Sequence, residues 1–281
     1  MSEPEAGPRS RLAPDLGRRV LTAALVLPPI LAGLLLGRPA VGVGIVGLAA
    51  LLGLLECFRL LEARGLVPLR SAGLALAAVL FLETAHARWP GPATWPLLAA
   101  LLLVAVLARR GELDVTVPSA AATLLGATYL GALGGALAGL RLLAPVEAGP
   151  WRLVLLLAIV MGSDTASFFV GCAIGKRKLS PRLSPKKTVE GALGGLLGGV
   201  LGAVAVRWAR FETMPLAHAA ALGILGSALG QAGDLFESLL KRWAGVKDSG
   251  ALFPGHGGML DRLDSLLSAA PLLYYYFWWT R

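Results

Sequence analysis

The sequence predicts an all-α fold: a polytopic transmembrane helical protein of about nine spans, with its N-terminus in the cytoplasm. Three observations lead there. Hydrophobic residues make up 56% of the 281 and charged residues only 15%, whereas a soluble domain carries about 25% charge. Mean hydropathy is +0.70. Apolar runs of about 17–25 residues, the length a helix needs to cross a bilayer, recur along the whole chain. The 36 glycines and 18 prolines agree, since both are more frequent in membrane helices than in soluble ones.

Residues 1–19 are polar, with Pro4, Pro8 and Pro14 among Arg9, Arg11, Arg18 and Arg19. They read as a disordered or surface-lying cytoplasmic tail. The apolar run that follows is the first of many, so the segment is not read as a signal peptide. Spans are expected at residues 20–37, 40–61, 71–87, 94–108, 117–140, 151–174, 190–209, 216–240 and 263–279. The first five form an N-terminal helical unit over residues 20–145. The last four belong to a C-terminal region, residues 146–281, that carries two dense polar loops. With the N-terminus inside, 19 of the Lys and Arg residues face the cytoplasm and 7 face out, the bias that orients membrane proteins. The net charge of +9 is thereby assigned to cytoplasmic loops, and no nucleic-acid partner is implied.

Several features have plain structural readings. Cys57 and Cys172 fall inside apolar runs and read as small buried hydrophobes, with no disulfide framework. The chain has no CxxC or HExxH pattern for zinc. The run Tyr274, Tyr275, Tyr276, Phe277, Trp278, Trp279 fits an aromatic belt at the outer interface. Glycines at 131, 134, 135 and 139, and again at 191, 194, 195, 198, 199 and 202, let helices approach closely. Packing within one chain and a homodimer seam both fit that spacing, with a slight lean to the dimer.

The chemistry is sought among the 17 acidic residues, because a carboxylate at membrane depth marks function by default. Asp164 lies in the sixth span; Asp234 and Glu237 lie towards the inner end of the eighth. Glu56 and Glu83 sit near the ends of apolar runs, where snorkelling or pairing with Arg59 explains them. Asp234, Ser238 and Lys241 follow i, i+4, i+7 spacing and share a helix face. Asp261 and Asp264, three apart, also point one way on a helix. Three carboxylates brought together would repel and hold protons, and a divalent cation removes that conflict. Oxygen donors without cysteine favour a hard ion, Mg²⁺ first, alone or with a second cation.

Two loops can hold phosphate. Gly255-His256-Gly257-Gly258 can turn tightly and expose backbone N–H groups to an anion, beside Lys241, Arg242, Lys247 and Arg262. The stretch from Gly175 to Gly191 offers Ser184, Lys186, Lys187 and Thr188 as hydroxyl and ammonium donors. Read blandly, it is a positive-inside loop, and Thr188 is a reasonable N-cap for the seventh span. A metal site at the membrane's cytoplasmic face with two phosphate-binding loops points to phosphoryl or nucleotidyl transfer onto a lipid.

The stretch from Ser238 to Asp264 resembles the signature of the phosphatidate cytidylyltransferases (CDP-diacylglycerol synthases). It has Ser238, Lys241-Arg242, Lys247-Asp248, Gly250, Phe253-Pro254, His256-Gly257-Gly258, Asp261-Arg262 and Asp264. Upstream, Asp164-Thr165, Gly175-Lys176, Ser184-Pro185-Lys186-Lys187-Thr188 and Glu190-Gly191 are similar to the family as well. Ser167-Phe168 and Val189 depart from its pattern, without a change of charge. The resemblance covers roughly the C-terminal half. It implies the reaction CTP + phosphatidate → CDP-diacylglycerol + pyrophosphate, a need for Mg²⁺ and a homodimer in a bacterial inner (plasma) membrane, with the active site on the cytoplasmic side. It also implies that Asp234, Asp261 and Asp264 hold the metal and that Lys241, Arg242, Lys247, His256, Lys186 and Lys187 hold phosphates. Lys241 and Arg262 join the aspartates as catalytic residues. Asp164, Ser184, Thr188, Glu190, Ser238, Asp248, Gly257 and Gly258 complete the expected substrate-binding set.

Two other readings stay open on the residues alone. A CTP-dependent lipid kinase of the polyprenol or phytol type would share membrane site, nucleotide and metal but release CDP. A membrane anion transporter would also use intramembrane carboxylates and broken helices, although no clear inverted repeat relates the two halves.

Overall fold

The structure is a computed structural model and describes residues 24–25, 27–86, 100, 104–107, 112–252 and 257–280. The 1–19 tail and most of the 94–108 span lie outside these residues. Among them, seven long helices form: α1 (Pro39–Glu62), α2 (Arg70–Ala85), α3 (Leu113–Leu142), α4 (Gly149–Ile174), α5 (Val189–Arg210), α6 (Leu216–Ala244) and α7 (Leu260–Trp279). Residues 27–35 are helical too. Five helical stretches are long and apolar enough to cross a membrane: α1, α3, residues 146–174, α5 and α6. The α2 helix has only 16 residues, and α7 opens with three charged side chains at positions 261, 262 and 264.

The expectation of an all-helical chain omits one feature. Between α4 and α5 the strands β1 (Lys178–Ser180) and β2 (Ser184–Thr188) pair antiparallel, with Lys178 opposite Thr188 and Ser180 opposite Ser184. This basic segment has no apolar stripe to bury as a helix, so its backbone groups pair across a short hairpin instead. Thr188 then starts α5 as its N-cap, accepting from the Gly191 N–H at 3.1 Å, as the sequence predicts.

The glycine stripes are spent inside the chain. A Cβ on Gly194 would meet the Val170 side chain, one on Gly198 the Gly162 carbonyl and Ala166, and one on Gly202 the Ala158 carbonyl. That face of α5 lies against α4. Gly199 faces α6 at Ser227 and Gly223. On α3, Gly131 and Gly135 press on the α2 backbone at Ala77 and Phe81, and Gly139 on the Tyr274 ring of α7. These seams therefore do not carry the dimer to which the sequence leans. Small residues bring backbones together here, and dispersion between close surfaces holds the helices where lipid offers no hydrophobic gain.

Two plain readings change. The aromatic run is divided: Tyr274 is buried and donates to the Thr84 carbonyl at 2.7 Å, Phe277 packs on Phe211, and Trp279 is exposed. Helical periodicity puts neighbours on different faces, so one run serves core and surface. Cys57 is buried as expected, but Cys172 is exposed on the outside of α4.

The seams allow a direct test of packing. A Cβ on Gly131 would stand 2.6 Å from the Ala77 carbonyl oxygen and 2.8 Å from its Cα, while one on Gly44 would meet nothing within 4 Å. Gly131→Ala is expected to destabilise the protein by about 1–3 kcal/mol through overpacking. Gly44→Ala is expected to leave stability unchanged or slightly raised. Melting of both variants in one detergent checks this; equal midpoints would show that α2 and α3 do not meet there.

Candidate active site

The site begins where α6 stops. Gly245 has φ 77°, and the Gly245 and Val246 N–H groups donate back to Arg242 and Lys241 carbonyls. A left-handed glycine of this kind ends a helix because it carries no Cβ penalty. The last turns of α6 and the first turns of α7 then lie side by side, connected through a loop.

Three carboxylates converge between them. Ligand oxygens of Asp234, Glu237 and Asp264 all lie within 4.8 Å of one another. Glu237 is only 1% exposed, and no N–H or O–H donor of the described residues reaches its Oε1. Lys241 Nζ donates to Glu237 Oε2 at 2.9 Å and to Asp261 Oδ1 at 2.5 Å. Lys187, on β2, pairs with Asp234. Asp164 of α4 has Lys187 and Asp234 as its charged neighbours.

The expected trio of Asp234, Asp261 and Asp264 thus differs from the one the helices assemble. Asp261 turns towards the loop. Its Oδ2 accepts from the Ser249 N–H at 3.0 Å, the Ser249 hydroxyl at 2.8 Å and the Gly258 N–H at 2.7 Å. Burial alone would raise this carboxyl. Hydrogen bonding with Glu237, Lys241 and the backbone of Gly258 and Ser249 nevertheless holds it well below the usual carboxylate range. Glu237 takes its place beside Asp234 and Asp264, and its signal was present: it lies at i+3 from Asp234 and i−4 from Lys241 on the same helix face.

The other expected residues divide into positioned and exposed groups. Gly257 has φ +81°, and Cβ atoms on Gly257 and Gly258 would collide with the carboxylates of Asp261 and Glu56. Without a Cβ at either position the loop closes around those carboxylates as they stand; a side chain at either one would force them to shift. Glu190 accepts from the backbone N–H groups of Lys176 at 3.0 Å and Arg177 at 3.2 Å, closing the base of the hairpin. Ser184 is half-buried and paired with Ser180, and Ser238 is half-buried one turn beyond Asp234. Lys186 and Lys187 alternate along the strand, so Lys187 reaches Asp234 while Lys186 is exposed. Arg242, Lys247, Asp248 and Arg262 are exposed. His256 lies outside the described residues.

Ser249 and Glu56 are the residues that sequence reasoning passed over. Glu56, explained by snorkelling, is 4% exposed and sits against this loop. Its partners are some 200 positions away, so no local pattern exposes it.

Oxygen-only donors, an orphaned buried Glu237 oxygen and fewer cations than carboxylates suit a hard divalent cation. Exposed cations on the elements that carry the site, Lys186 on β2, Arg242 on α6 and Arg262 on α7, can attract a polyanion.

Comparison with known proteins gives a consistent picture. The chain is similar to the phosphatidate cytidylyltransferase of Pseudomonas aeruginosa, 35% identical over 94% of this chain and 97% of that one. It is similar to the Synechocystis phosphatidate cytidylyltransferase at 34% identity over 82% of this chain and 85% of the other. With the Brucella suis phosphatidate cytidylyltransferase it shares 44% identity over 43% of its length and 45% of the relative's. The profile of the cytidylyltransferase family matches residues 17–280, and the chain belongs to that family.

Proposed function

We propose that this protein is a phosphatidate cytidylyltransferase: an integral membrane nucleotidyltransferase that makes CDP-diacylglycerol and pyrophosphate from CTP and phosphatidate. The observation that carries the reading is the convergence of Asp234, Glu237 and Asp264 within 4.8 Å, capped by Lys187 and Lys241, in a chain whose relatives are named for this activity.

The phosphatidate phosphomonoester is largely dianionic near neutrality, its second pKa being about 6. It therefore needs no strong general base. One of its oxygens forms a bond to the α-phosphorus of CTP. The bond from that phosphorus to the bridging oxygen breaks, and pyrophosphate leaves with the electron pair. Two polyanions must meet, so positioning and charge neutralisation supply the catalysis. Asp234, Glu237 and Asp264 would hold Mg²⁺, which would supply charge neutralisation for the nucleotide phosphates and the departing pyrophosphate. Lys187 orients Asp234, and Lys241 bridges the Glu237 and Asp261 carboxylates. Asp261 orders the loop that presents the Gly257 and Gly258 backbone. Lys186, Arg242, Lys247 and Arg262, all exposed, receive the phosphates, with Asp164, Ser184, Thr188, Ser238, Asp248 and His256 around them. Glu190 fixes the hairpin.

The proposal includes a nine-span topology over residues 20–279 in a bacterial plasma membrane, with a cytoplasmic N-terminus and site, supported by the 19-to-7 bias of basic residues. A homodimer belongs to it through the family resemblance. The exposed stripe Leu193, Leu197 and Leu201 on α5 is the face left to lipid or to a second copy.

Purified protein is expected to release pyrophosphate from CTP only when phosphatidate and Mg²⁺ are both supplied, and to stop when the metal is chelated. Release of CDP instead would make it a lipid kinase, and no nucleotide turnover would favour the transporter. Glu237→Gln is expected to lower turnover on the order of 10²–10³-fold while the variant still elutes as folded protein; near-wild-type rates would remove Glu237 from the metal site. For topology, single cysteines replacing the exposed Glu147 and Arg182, in a background with Cys172 changed to Ser, are labelled with a membrane-impermeant maleimide. Position 147 is expected to react in intact cells and position 182 only after permeabilisation. The reverse pattern inverts the orientation.

A further inference from the structure

The first turn of α7 places Asp261 and Asp264, yet its own sequence does not cap it. The N-cap residue is Met259, with no side-chain cap hydrogen bond, where Ser, Thr, Asp or Asn is favoured. The opening N–H groups of a helix need acceptors, and a negative charge there is further favoured by the helix dipole. Both come from Glu56, at the end of α1 and about 200 residues away. The Met259 N–H donates to Glu56 Oε1 at 2.9 Å and the Leu260 N–H to Glu56 Oε2 at 2.9 Å. The Ser249 hydroxyl lies 2.9 Å from Glu56 Oε2 and 2.8 Å from Asp261 Oδ2, a link between the two carboxylates.

The surroundings are shaped to this carboxylate. Glu56 is 4% exposed. A Cβ on Gly250 would stand 2.6 Å from Glu56 Oε1, and one on Gly258 would overlap Glu56 Oε2. The loop wraps Glu56 from both sides and is admitted there only by glycine. A snorkelling side chain would leave its carboxylate in water; this one is enclosed by backbone from the opposite end of the sequence.

We infer that Glu56 is a positioning residue for the reaction: it caps α7 in trans, and through Met259, Leu260 and Ser249 it sets where Asp261 and Asp264 stand relative to Asp234 and Glu237. The inference rests on the cytidylyl-transfer reading of that site. It gives the N-terminal helices, which carry no site motif of their own, a defined part in the chemistry. Outer partners that orient metal-binding groups typically change activity or metal affinity about 10–100-fold when removed.

The test uses the full chain in detergent with Glu56→Gln, Glu56→Ala and Ser249→Ala. Pyrophosphate release is followed across a Mg²⁺ titration, and hydrogen–deuterium exchange is followed by mass spectrometry without substrate. Glu56→Gln keeps one acceptor oxygen and is expected to lower kcat about 10-fold, and Glu56→Ala up to about 100-fold. Both are expected to need more Mg²⁺ for half-activation and to exchange faster only over residues 246–264. Ser249→Ala is expected to act in the same direction, and combining it with Glu56→Gln is expected to cost less than the product of the two effects, because they share one link. Unchanged exchange over 246–264 overturns the inference. So does faster exchange there with wild-type kcat and Mg²⁺ dependence, or faster exchange along the whole chain with activity lost only in proportion to unfolded protein. If Glu56 variants do not fold, Ser249→Ala carries the same readouts. If wild-type protein releases no pyrophosphate, the proposed activity fails, and the exchange pattern still decides whether Glu56 caps α7.

Discussion

Five acidic side chains, those of Asp164, Asp234, Glu237, Asp261 and Asp264, are gathered from α4, α6 and α7 around two lysines, Lys187 and Lys241. Like charges this close, partly withdrawn from water, disfavour their own ionisation, and the cost of leaving them unpaired is large. Much of the C-terminal architecture answers that constraint. The glycine face of α5 draws it onto α4 and α6, so the hairpin at its start carries Lys187 over Asp234. Lys241 is placed by the register of α6 between Glu237 and Asp261. The loop after Gly245 brings backbone N–H groups to the Asp261 carboxylate. What these cations leave uncompensated is the charge that the proposed Mg²⁺ supplies.

The same constraint explains the division between interior and surface. Arg242, Lys247, Arg262 and Lys186 are exposed, while Asp234, Glu237, Asp261 and Asp264 are buried or half-buried. Were the cations to fold inward, they would neutralise the cluster and leave nothing for a metal to do. In the proposed reaction exposed cations would attract the nucleotide triphosphate and the lipid phosphate, and the proposed Mg²⁺ would offset the repulsion of both by the carboxylates. Transfer between two polyanions asks for this arrangement, whereas a path for a single anion would be lined by cations throughout.

Much of the frame was legible in the sequence because hydropathy alone decides it. Runs such as 117–140 and 151–174 are too long and apolar for anything but helices at membrane depth, and α3 and α4 form there. Asp164 and Asp234 stood out as candidates because a carboxylate in such a run is rare, and Asp264 through its spacing of three from Asp261. The exchange of Asp261 for Glu237 was not legible. Spacing says that Asp261 and Asp264 share a helix face, but Asp261 divides its oxygens between Lys241 of α6 and the N–H and O–H donors of a loop, and loop geometry leaves no periodic trace. The hairpin was hidden for the same reason: a short polar segment has no core face to show. The glycine seams announced a close approach without naming the partner, because a missing Cβ looks alike whether the neighbour is α4 or a second chain.

Glu56 marks the limit most clearly. Its own neighbourhood, an apolar helix with Arg59 three residues on, offers an adequate local account. What local patterns did hold was a vacancy elsewhere, since Met259 stands where a helix start asks for a capping side chain. A serine or aspartate at 259 would cap the first turn from within, through the N–H of residue 261 or 262, but it would leave α7 free to shift against α1. A cap supplied from α1 forms only when the two helices are in register. The carboxylate therefore couples the position of Asp264 to the packing of the N-terminal helices, and that packing is fixed by seams such as Gly53 on Leu130 and Gly131 on Ala77. An unremarkable apolar half thereby acquires control over where two carboxylates of the site stand, through contacts that carry no chemistry of their own.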